Sequence, residues 1–480
     1  MLFLIGPPLV AASVAAAVRP YRTWVGWVNV SAAGLSLTVS LAVALAIATG
    51  VPSSLARAAV AVRFDALSAL LAVCIAFVTL LASALGPGLA DESDDPSART
   101  FRVFINLFAA TMLAAVTVQN VALMWVAIEA ATITSAMVIP LRRTKASVEA
   151  SWKYILICSV GIALAFAGTV LAYFDFVATA GQVPDSLNWS VLRAAAPSLH
   201  PEPLQVAFAF ILVGYGTKAG LAPMHTWLPD AYSEAPSPIS AMMSGVLPAV
   251  ALYAIARWKA VIDGAVDPGF TTALLVGFGV VSMIVGSFSL VIQRRYKRML
   301  AYSSIEHMGL VSIGLALGPA GVFAAWLHVA NHAVAKSMSF LLAGRILRRY
   351  ETAEIRKVTG LMQAMPWTGT LFAAAILAVV GLPPFGLFVS EFLLVRAAVA
   401  GHHLWLAGAI LLLLLIAFIS LIGHLNQMLY GAVPAGVPVG ERRAWPVLAL
   451  AGSAALLVML GVSVPQPVFA LIDQCAGLFP

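Results

Sequence analysis

Charged residues are scarce in this 480-residue sequence, since Asp, Glu, Lys and Arg together make up only 10% of it. Hydrophobic residues make up 61%, and the mean hydropathy is +0.98. Soluble globular domains carry about 25% charged residues. The scarcity of charge excludes a soluble protein of ordinary composition and indicates one whose solvent is a lipid bilayer.

Cysteine is also rare, and its three copies form no ligand pattern. Cys74, Cys158 and Cys475 lie far apart in apolar stretches, without CxxC spacing. Zinc and iron–sulfur sites need clustered thiolates. We therefore expect no metal, no catalytic redox site and no other bound cofactor in this chain.

The net charge of +7 does not indicate a nucleic-acid partner. Lys and Arg form short clusters between apolar runs rather than one basic surface. No long polar segment interrupts the sequence, so we expect any soluble catalytic domain to belong to another chain.

Apolar runs long enough to cross a bilayer repeat along the chain. Backbone groups in lipid must bond internally, so each run of about 20 residues is expected to form a helix. The first run has no basic residues before it and Arg19 and Arg22 after it, which favours a span over a signal peptide. The pattern predicts an all-α integral membrane protein of about fourteen transmembrane helices, at 1–18, 24–49, 64–87, 101–118, 119–140, 152–178, 205–228, 237–257, 269–292, 299–317, 320–344, 367–396, 403–430 and 445–471.

The distribution of basic residues predicts the orientation. The odd-numbered connections hold most of the Lys and Arg, including Arg294–Arg298 and the segment 345–357. By the positive-inside rule these connections are cytoplasmic, which places both termini outside a bacterial or archaeal inner membrane. The acidic run Asp91–Asp95 is interpreted as a solvated loop.

Ionisable side chains recur inside the predicted spans. A charged residue at the centre of a membrane helix costs about 2.5–3.5 kcal/mol on insertion scales, so such residues are usually paired, hydrated or functional. We predict proton transfer for those found here. They are Glu129 in span five, Lys218 in span seven, His328, His332 and Lys336 in span eleven, and Glu391 in span twelve.

Span eleven carries three of these groups at intervals of four residues. That spacing places His328, His332 and Lys336 on one helix face, about 6 Å apart along the axis. The series predicts a proton relay, because histidine titrates near neutral pH. A metal or haem site at the two histidines is the alternative, although the lysine continues the same face and no third metal ligand is evident.

Spans seven and twelve are both interrupted by proline near their ionisable residue. Pro223 follows Lys218, and Pro383 and Pro384 precede Glu391. Proline breaks the helical hydrogen-bond ladder, and paired broken helices indicate a transporter site. The interval of five spans suggests that spans four to eight and nine to thirteen are inverted repeats. Simple packing kinks are the alternative.

Burial disfavours a charged lysine, and a nearby carboxylate restores the charge. If Glu129 approaches Lys218, the lysine holds its proton, and withdrawing the carboxylate releases it. The two residues would then act as a switch.

Five stretches carry a family resemblance: MWVAIEA, GTKAGLAPMHTWLPDAYSEAPSPISAMMSG, RRYKRMLAYSSIEHMGL, HVANHAVAKSMSF and GLPPFGLFVSEF. They resemble the antiporter-like subunits of respiratory complex I, membrane-bound hydrogenases and multi-subunit cation/proton antiporters. SSIEHMGL and GLPPFGLFVSEF look most like the F subunit of group-four hydrogenase and formate hydrogenlyase complexes. The matching stretches lie within residues 100 to 430.

The resemblance implies a pair formed by Glu129 and Lys218, a central Lys336 beside His328 and His332, and a terminal Glu391. His225 and Asp230 match the MHTWLPDA motif and are expected to line the proton entry, with local capping as the alternative. The implied units are N-terminal helices at 1–100, repeats at 101–257 and 269–430, and a C-terminal helix at 445–480.

The sequence departs from the family pattern in span eight. Ala249 stands where relatives often carry Lys, His or Asn, and Pro248 precedes it. Proton transfer from Lys218 towards span eleven would then need water, or the hydroxyls of Ser244 and Tyr253.

The leading hypothesis is a proton-translocating subunit of a redox-driven membrane complex, resembling membrane-bound hydrogenase or complex I, with no redox chemistry of its own. Its expected partners are other membrane subunits and cytoplasmic peripheral subunits. The second hypothesis is a module of a Na⁺/H⁺ antiporter or inorganic-carbon uptake system. The third is a haem-bearing or quinone-reactive subunit that uses His328 and His332.

Overall fold

The structure of the protein is a computed structural model that describes residues 2–50, 64–89, 97–141, 143–181, 183–441 and 445–479. The regular structure of these residues is helical, without a β-strand. The acidic run at 91–95 lies outside the described residues, as do the cations Arg57, Arg63, Arg142, Arg442 and Arg443.

Each predicted span corresponds to a helical segment, in some cases a divided one. Short helices at Trp189–Ala195 and Leu361–Ala364 lie in connections. The main segments are α1 Leu2–Ala17, α2 Thr23–Thr49, α3 Ala66–Ala84, α4 Ala98–Thr117, α5 Val121–Ala136, α6 Lys145–Ala180, α7a Pro201–Ala219 and α7b Leu228–Glu234. They continue with α8 Ser237–Gly245 and Leu247–Ile262, α9 Pro268–Val291, α10 Tyr296–Gly314, α11 Gly318–Tyr350, α12a Pro366–Val379, α12b Gly386–Ala400, α13 Leu404–Leu429, α14a Trp445–Val462 and α14b Gln466–Ala476.

The chain is a multi-pass membrane protein, but the number fourteen stays a prediction. Among the described residues, eight helices are long and apolar enough to cross a membrane, or nine if α14a and α14b, bent by 70°, form one span. The segments α10 and α11 do not meet that test, although both are long enough. Both carry the buried ionisable groups, which lowers their apolar character.

Side-chain caps fix where several helices begin. Asn120 accepts hydrogen bonds from the backbone N–H groups of Ala122 and Leu123 at the start of α5. Thr144 accepts one from Ser147 at the start of α6. Such caps satisfy N–H groups that have no partner within the helix, typically contributing about 1 kcal/mol each.

The seventh helix is broken, as the sequence predicts. Gly220 ends α7a with φ of 78°, in the left-handed region that favours glycine. The backbone N–H of Ala222, which lies in the break, donates to Ser282 Oγ at 2.8 Å. A polar side chain of α9 therefore satisfies a backbone group that lipid could not.

The twelfth helix is broken in the same way. Gly381 follows α12a with φ of 66°, and α12b begins at Gly386. Asn331 Nδ2 of α11 donates to the carbonyl of Gly386 at 3.2 Å. The predicted breaks are confirmed, and a simple kink within a continuous helix is excluded for both. Pro229, in contrast, lies in the first turn of α7b, where proline is tolerated.

The centre of the fold is formed by α8, whose residues from Ser237 to Ile262 are all buried. The segment α11 packs against α8, α10 and α12b. The perimeter helix α13 exposes an apolar face that includes Leu411, Leu415 and Ile419. The ionisable residues of α10 and α11 therefore lie in the protein interior, while apolar side chains face the lipid.

Segments predicted to be cytoplasmic meet on one face of the protein. Asp230 at the start of α7b forms ion pairs with Lys153 at 3.4 Å and Arg298 at 3.3 Å. Glu234 pairs with Arg295 at 3.0 Å. The fifth, seventh and ninth connections thus share one side of the molecule, as the odd-numbered pattern requires.

Candidate functional site

The first cluster is built around Lys218, the penultimate residue of α7a. Its side chain is fully buried. The ammonium donates to Thr132 Oγ1 of α5 at 2.7 Å and to the Tyr154 hydroxyl of α6 at 2.5 Å. Three helices therefore contribute to one lysine site, and two hydroxyl oxygens replace part of the hydration that burial removes.

Glu129 reaches this lysine through Thr132 rather than by a direct ion pair. Thr132 Oγ1 lies 3.3 Å from Glu129 Oε2 and accepts from Lys218 on its other side. Ser159 Oγ donates to Glu129 Oε1 at 2.7 Å. The direct pair expected from the sequence is not formed in the described residues, since the Thr132 hydroxyl contacts both side chains instead, and Glu129 is only half-buried.

Aromatic rings close the lysine site. The Lys218 Nζ lies 4.4 Å from the Tyr154 ring centre and 6.0 Å from that of Trp227. Trp227 Nε1 donates to the carbonyl of Thr217 at 2.8 Å. These rings can stabilise the charged lysine through cation–π interactions and limit its movement.

His225 and Asp230 lie beyond the break of helix seven. Asp230 is engaged with Lys153 and Arg298 at the surface. His225 is half-buried, and its Nδ1 atom has no hydrogen-bond partner among the described residues. Pro223, beside them, is exposed. The ion pairs give Asp230 a structural role, and the entry role of both residues stays a prediction.

The second cluster begins at Lys336 of α11, which is fully buried. Its ammonium donates to the carbonyl of Leu300 at 3.2 Å and forms a short hydrogen bond with Ser303 Oγ. Both partners lie on α10. As in the first cluster, neutral oxygens solvate the lysine directly.

Three histidine rings form the middle of this cluster. His328 Nε2 and His307 Nδ1 lie 3.0 Å apart, and His328 Nδ1 lies 3.0 Å from Ser390 Oγ. The His332 ring centre is 5.3 Å from that of His307. The predicted face of α11 is therefore present, and α10 and α12b complete it.

Glu391 lies in α12b and is 7% exposed. A Cβ at Gly381 would overlap its carboxylate, so the glycine at the helix break makes room for the side chain. Its Oε1 atom has no hydrogen-bond partner among the described residues. Pro383 and Pro384 are exposed and shape the break rather than touching the carboxylate.

Sequence reasoning missed two ionisable residues of this cluster, Glu306 and His307. Both are 1% exposed and lie side by side in α10. They stand in the predicted span 299–317, where the stretch SSIEHMGL was used only for the family resemblance. The rule applied to Glu129 and Lys218, that an ionisable residue within a span is a candidate, would have found them.

The structure adds a possible third ligand to the metal site that was considered as an alternative. Donor atoms of His307, His328 and Glu391 lie within 4.8 Å of one another. However, His328 already engages both ring nitrogens, one with His307 and one with Ser390. A metal would have to break one of these bonds beside the cationic Lys336. The geometry therefore favours shared protons over a metal ion.

The connection between the two clusters differs from the expectation. Ser244 Oγ of α8 lies 2.8 Å from Ser304 Oγ, adjacent to the Ser303 that contacts Lys336. The Tyr253 hydroxyl instead lies 3.3 Å from Ser68 Oγ and 3.3 Å from the Val116 carbonyl, so it does not continue this connection. Ala249 is buried and adds no polar atom.

Sequence comparisons place the chain among known membrane subunits. Residues 118–417 match the family described as NADH:quinone oxidoreductase/Mrp antiporter, TM. The chain is 38% identical to the hydrogenase-4 component F homologue of Methylacidiphilum infernorum, over 80% of each chain. It is 30% identical to hydrogenase-4 component B of Escherichia coli, over 78% of this chain and 57% of the relative.

Solved structures share the fold. A chain of the membrane-bound sulfane sulfur reductase, an archaeal respiratory complex, superimposes with a TM-score of 0.86 at 24% identity over 99% of this chain and 96% of that one. A chain of the Mrp complex from Dietzia sp. DQ12-45-1b gives 0.84 at 21% identity, with the same coverages. A chain of Thermus thermophilus complex I gives 0.82 at 23% identity over the full length of both. The chain thus belongs to the NADH:quinone oxidoreductase/Mrp antiporter transmembrane family.

Proposed function

We propose that this protein is the proton-translocating membrane subunit of a redox-driven complex similar to membrane-bound hydrogenase. The observation that carries the proposal is the burial of two lysine-centred clusters, each assembled from three helices. Lys218 and Lys336 are both completely buried. A buried lysine solvated by only a few oxygens is a group that can both hold and release a proton.

The first cluster offers a path for one proton transfer. Thr132 Oγ1 accepts from Lys218 and lies 3.3 Å from Glu129 Oε2. A hydroxyl can accept one proton while donating another. The ammonium proton can therefore move towards the Glu129 carboxylate as the threonine hydroxyl reorients. A change in charge near Glu129 would set the direction of transfer.

The second cluster extends the path inward. Lys336 and the imidazoles of His328 and His332 share the predicted face of α11, and Glu391 lies beside them on α12b. Two buried ring nitrogens, His307 Nε2 and His332 Nε2, lack hydrogen-bond partners among the described residues. Buried polar atoms of this kind are commonly satisfied by ordered water. Water bound there would connect the rings to the carboxylate.

The relatives support a redox-driven assembly. The identity of 38% to a hydrogenase-4 component F homologue points to a hydrogenase-type complex. In such an assembly the electron transfer takes place in peripheral subunits on the cytoplasmic side. This chain contributes the proton path, and further membrane subunits adjoin it. The same reasoning assigns it no electron-transfer step.

The proposal includes an orientation. We place the chain in a bacterial or archaeal cytoplasmic membrane with both termini outside and the odd-numbered connections inside. We also propose that 101–257 and 269–430 are inverted repeats, flanked by helices at 1–100 and 445–480. The positive-inside rule and the five-helix interval between the broken helices α7 and α12 support this arrangement.

A module of a Na⁺/H⁺ antiporter is the second candidate, favoured by the TM-score of 0.84 to a chain of an Mrp complex. Identification of the subunits that co-purify with this chain separates the two. Peripheral redox subunits are expected for the first candidate. Membrane subunits alone, together with transport that depends on Na⁺, would favour the second.

A vesicle assay tests the role of Lys218. The full chain and its co-purifying subunits are reconstituted into phosphatidylethanolamine–phosphatidylglycerol vesicles that contain a pH-sensitive dye. A potassium gradient and valinomycin then impose a potential, and 100 mV drives each charge by about 2.3 kcal/mol. We expect Lys218→Ala to abolish proton flux while assembly stays intact.

Lys259→Ala is the matched control, because Lys259 is also buried but pairs with Asp263, the residue that follows α8. It should conduct normally. Normal flux in an assembled Lys218→Ala variant would refute the proposed function.

A further inference from the structure

Glu306 is a buried carboxyl group that the path described above does not use. Its residue is 1% exposed and lies in the middle of α10. Ser287 Oγ of α9 donates to its Oε1 atom at 3.3 Å. A carboxylate with a single neutral donor is poorly solvated at such a depth, so a nearby cation or a bound proton is needed.

Lys336 supplies that cation from the facing helix. It donates to Leu300 and Ser303, which lie on α10 one to two turns before Glu306. Ser303 and Glu306 are three residues apart and thus share a helix face, separated by about 4.5 Å of rise. The Ser303 hydroxyl that Lys336 contacts therefore stands on the face of α10 that also carries Glu306.

Glu391 of α12b lies near the same part of α10. A carboxylate oxygen of Glu391 lies within 4.8 Å of a ring nitrogen of His307, the residue that follows Glu306 on α10, and Glu391 Oε1 has no hydrogen-bond partner among the described residues. Two carboxylates in one buried site do not ionise together easily. With one protonated lysine beside them, the neutral arrangement has one carboxylate and one carboxylic acid.

The position of Glu306 in the fold parallels that of Glu129. Glu129 lies on α5 and Glu306 on α10, five helices later. The same interval separates the broken helices α7 and α12. Each half therefore places a glutamate on the corresponding helix, although Glu129 is half-buried and Glu306 is sealed inside.

We propose that Glu306 is a proton carrier between Lys336 and Glu391. The inference rests on the proposed function of the chain. In the first step the Lys336 ammonium gives a proton to the Glu306 carboxylate through the Ser303 hydroxyl, leaving a neutral amine and a carboxylic acid. In the second step Glu391 gives up its own proton to water, and Glu306 then passes its proton to the Glu391 carboxylate and is ionised again. No electron moves, and the charge of the cluster is restored when the Lys336 amine takes up a new proton.

The helices α9 and α10 pack tightly beside Glu306. A Cβ at Gly286 of α9 would lie 2.8 Å from the Glu306 Cβ and 2.8 Å from its backbone nitrogen. The backbones of α9 and α10 thus approach so closely that no water fits between them there.

The test is the substitution Glu306→Gln, which keeps the shape of the side chain but removes its titration. Removing a group that transfers a proton lowers a rate by about 100-fold or more. We expect a loss of that size in the vesicle assay with the assembled complex. Ser312→Ala is the matched control, since Ser312 is a buried residue of α10 whose hydroxyl bonds to the Leu275 carbonyl, and it should conduct normally.

An infrared measurement reports on the carboxyl group directly. We expect a band of a protonated buried carboxyl group in the wild-type complex that changes when the potential is imposed. The band should be missing in Glu306→Gln and shifted in Ser287→Ala, which loses the hydroxyl donor. A purely structural role for Glu306 would leave the band unchanged when the potential is imposed.

The outcomes separate this inference from the proposed function. Loss of flux in Lys218→Ala together with normal flux in Glu306→Gln would overturn the role of Glu306 alone. Normal flux in both variants would overturn both proposals. If Glu306→Gln does not assemble, Glu306→Asp decides. Its shorter arm should slow proton flux and alter the pH profile, and an unchanged profile would overturn the inference.

Discussion

Both lysine clusters hold a lysine in the protein interior, but the groups that surround the two lysines differ. Around Lys218 the partners are hydroxyl groups and aromatic rings, and the one nearby carboxylate, Glu129, is half-buried beyond Thr132. Around Lys336 the protein seals two carboxyl groups and three imidazoles into its interior. The first cluster is thus open to a charge at its rim, whereas the second is isolated from its surroundings.

This difference indicates that proton transfer is controlled differently at the two clusters. A change in charge at the half-buried Glu129 can come from an adjacent subunit and act on Lys218 through one hydroxyl. The second cluster can respond only to protons that arrive along the interior. The rim cluster therefore suits regulation, and the sealed cluster suits transfer, because burial strengthens electrostatic coupling within it.

Removing Lys336 should have the largest effect. Lys336→Ala leaves the buried Glu306 and Glu391 without a cation, and breaking a buried charged arrangement costs about 3–5 kcal/mol. We expect no proton flux and a clearly lower unfolding temperature in detergent. Lys218→Ala should lower that temperature less, because it leaves mainly hydroxyl groups without a partner.

A double variant tests whether the loss of stability in Lys336→Ala comes from a buried carboxylate without a cation. Lys336→Ala combined with Glu306→Gln should unfold at a higher temperature than Lys336→Ala alone, since no carboxylate is then left uncompensated at Glu306. An equal or lower unfolding temperature would contradict the assignment of charge in the sealed cluster.

Alanine substitutions at the glycines of the two helix breaks should have the next largest effect, and the two variants should differ from each other. Both have positive φ, so alanine at either position strains the backbone by about 1–2 kcal/mol. At Gly381 the added methyl group also meets the Glu391 carboxylate, whereas at Gly220 it meets the flexible Leu228 side chain. We expect Gly381→Ala to lose proton flux and Gly220→Ala to retain most of it at a lower unfolding temperature.

Removing the Thr132 hydroxyl, which links Glu129 and Lys218, should have an intermediate effect on proton flux. Thr132→Val keeps the shape of the side chain but removes the group that links the two residues. We expect proton flux to fall by about tenfold, corresponding to roughly one lost hydrogen bond of 1–1.5 kcal/mol. Thr132→Ser should restore the flux. A serine variant as slow as the valine variant would argue against the relay.

Breaking the ion pair of Asp65 and Arg257 should have the smallest effect on proton flux, because the pair lies apart from both clusters. Asp65 precedes α3 and approaches Arg257 at 2.6 Å. Burial alone would raise the pKa of Asp65, but the guanidinium outweighs it and the pKa is lowered. A carboxyl group whose pKa is lowered by folding stabilises the folded state at pH values above its unfolded pKa of about 3.9. This stabilisation is lost as the pH falls through the pKa of the folded state.

Asp65→Asn should therefore unfold at a lower temperature than the wild type at neutral pH, and the difference should shrink under acidic conditions. Its proton flux per assembled complex should be normal. Impaired flux at unchanged assembly would place the pair within the transport path.

Much of the fold was predictable because it depends on local properties of the chain. The span predicted at 269–292 is the helix Pro268–Val291, and the breaks occur where glycine and proline cluster. The candidate ionisable residues were equally visible, since a charge within an apolar run stands out. Glu306 and His307 met the same criterion and were missed only because their stretch served another purpose.

The partners of these residues could not be predicted from spacing. Only the face shared by His328, His332 and Lys336 follows from one helix. The link through Thr132, the exclusion of Tyr253 from the connection, and the contact of Ser244 with Ser304 depend on how separate helices are rotated against each other.

The sequence by itself determined the membrane as solvent, the approximate helices, their breaks and which ionisable groups would lie within the helices. These properties follow from the composition of each segment and from the geometry of a single helix. Only the tertiary structure decided that Lys218 meets hydroxyl groups while Lys336 lies among carboxyl groups and imidazoles. Electrostatic coupling depends on distances between helices far apart in the chain, and packing sets those distances.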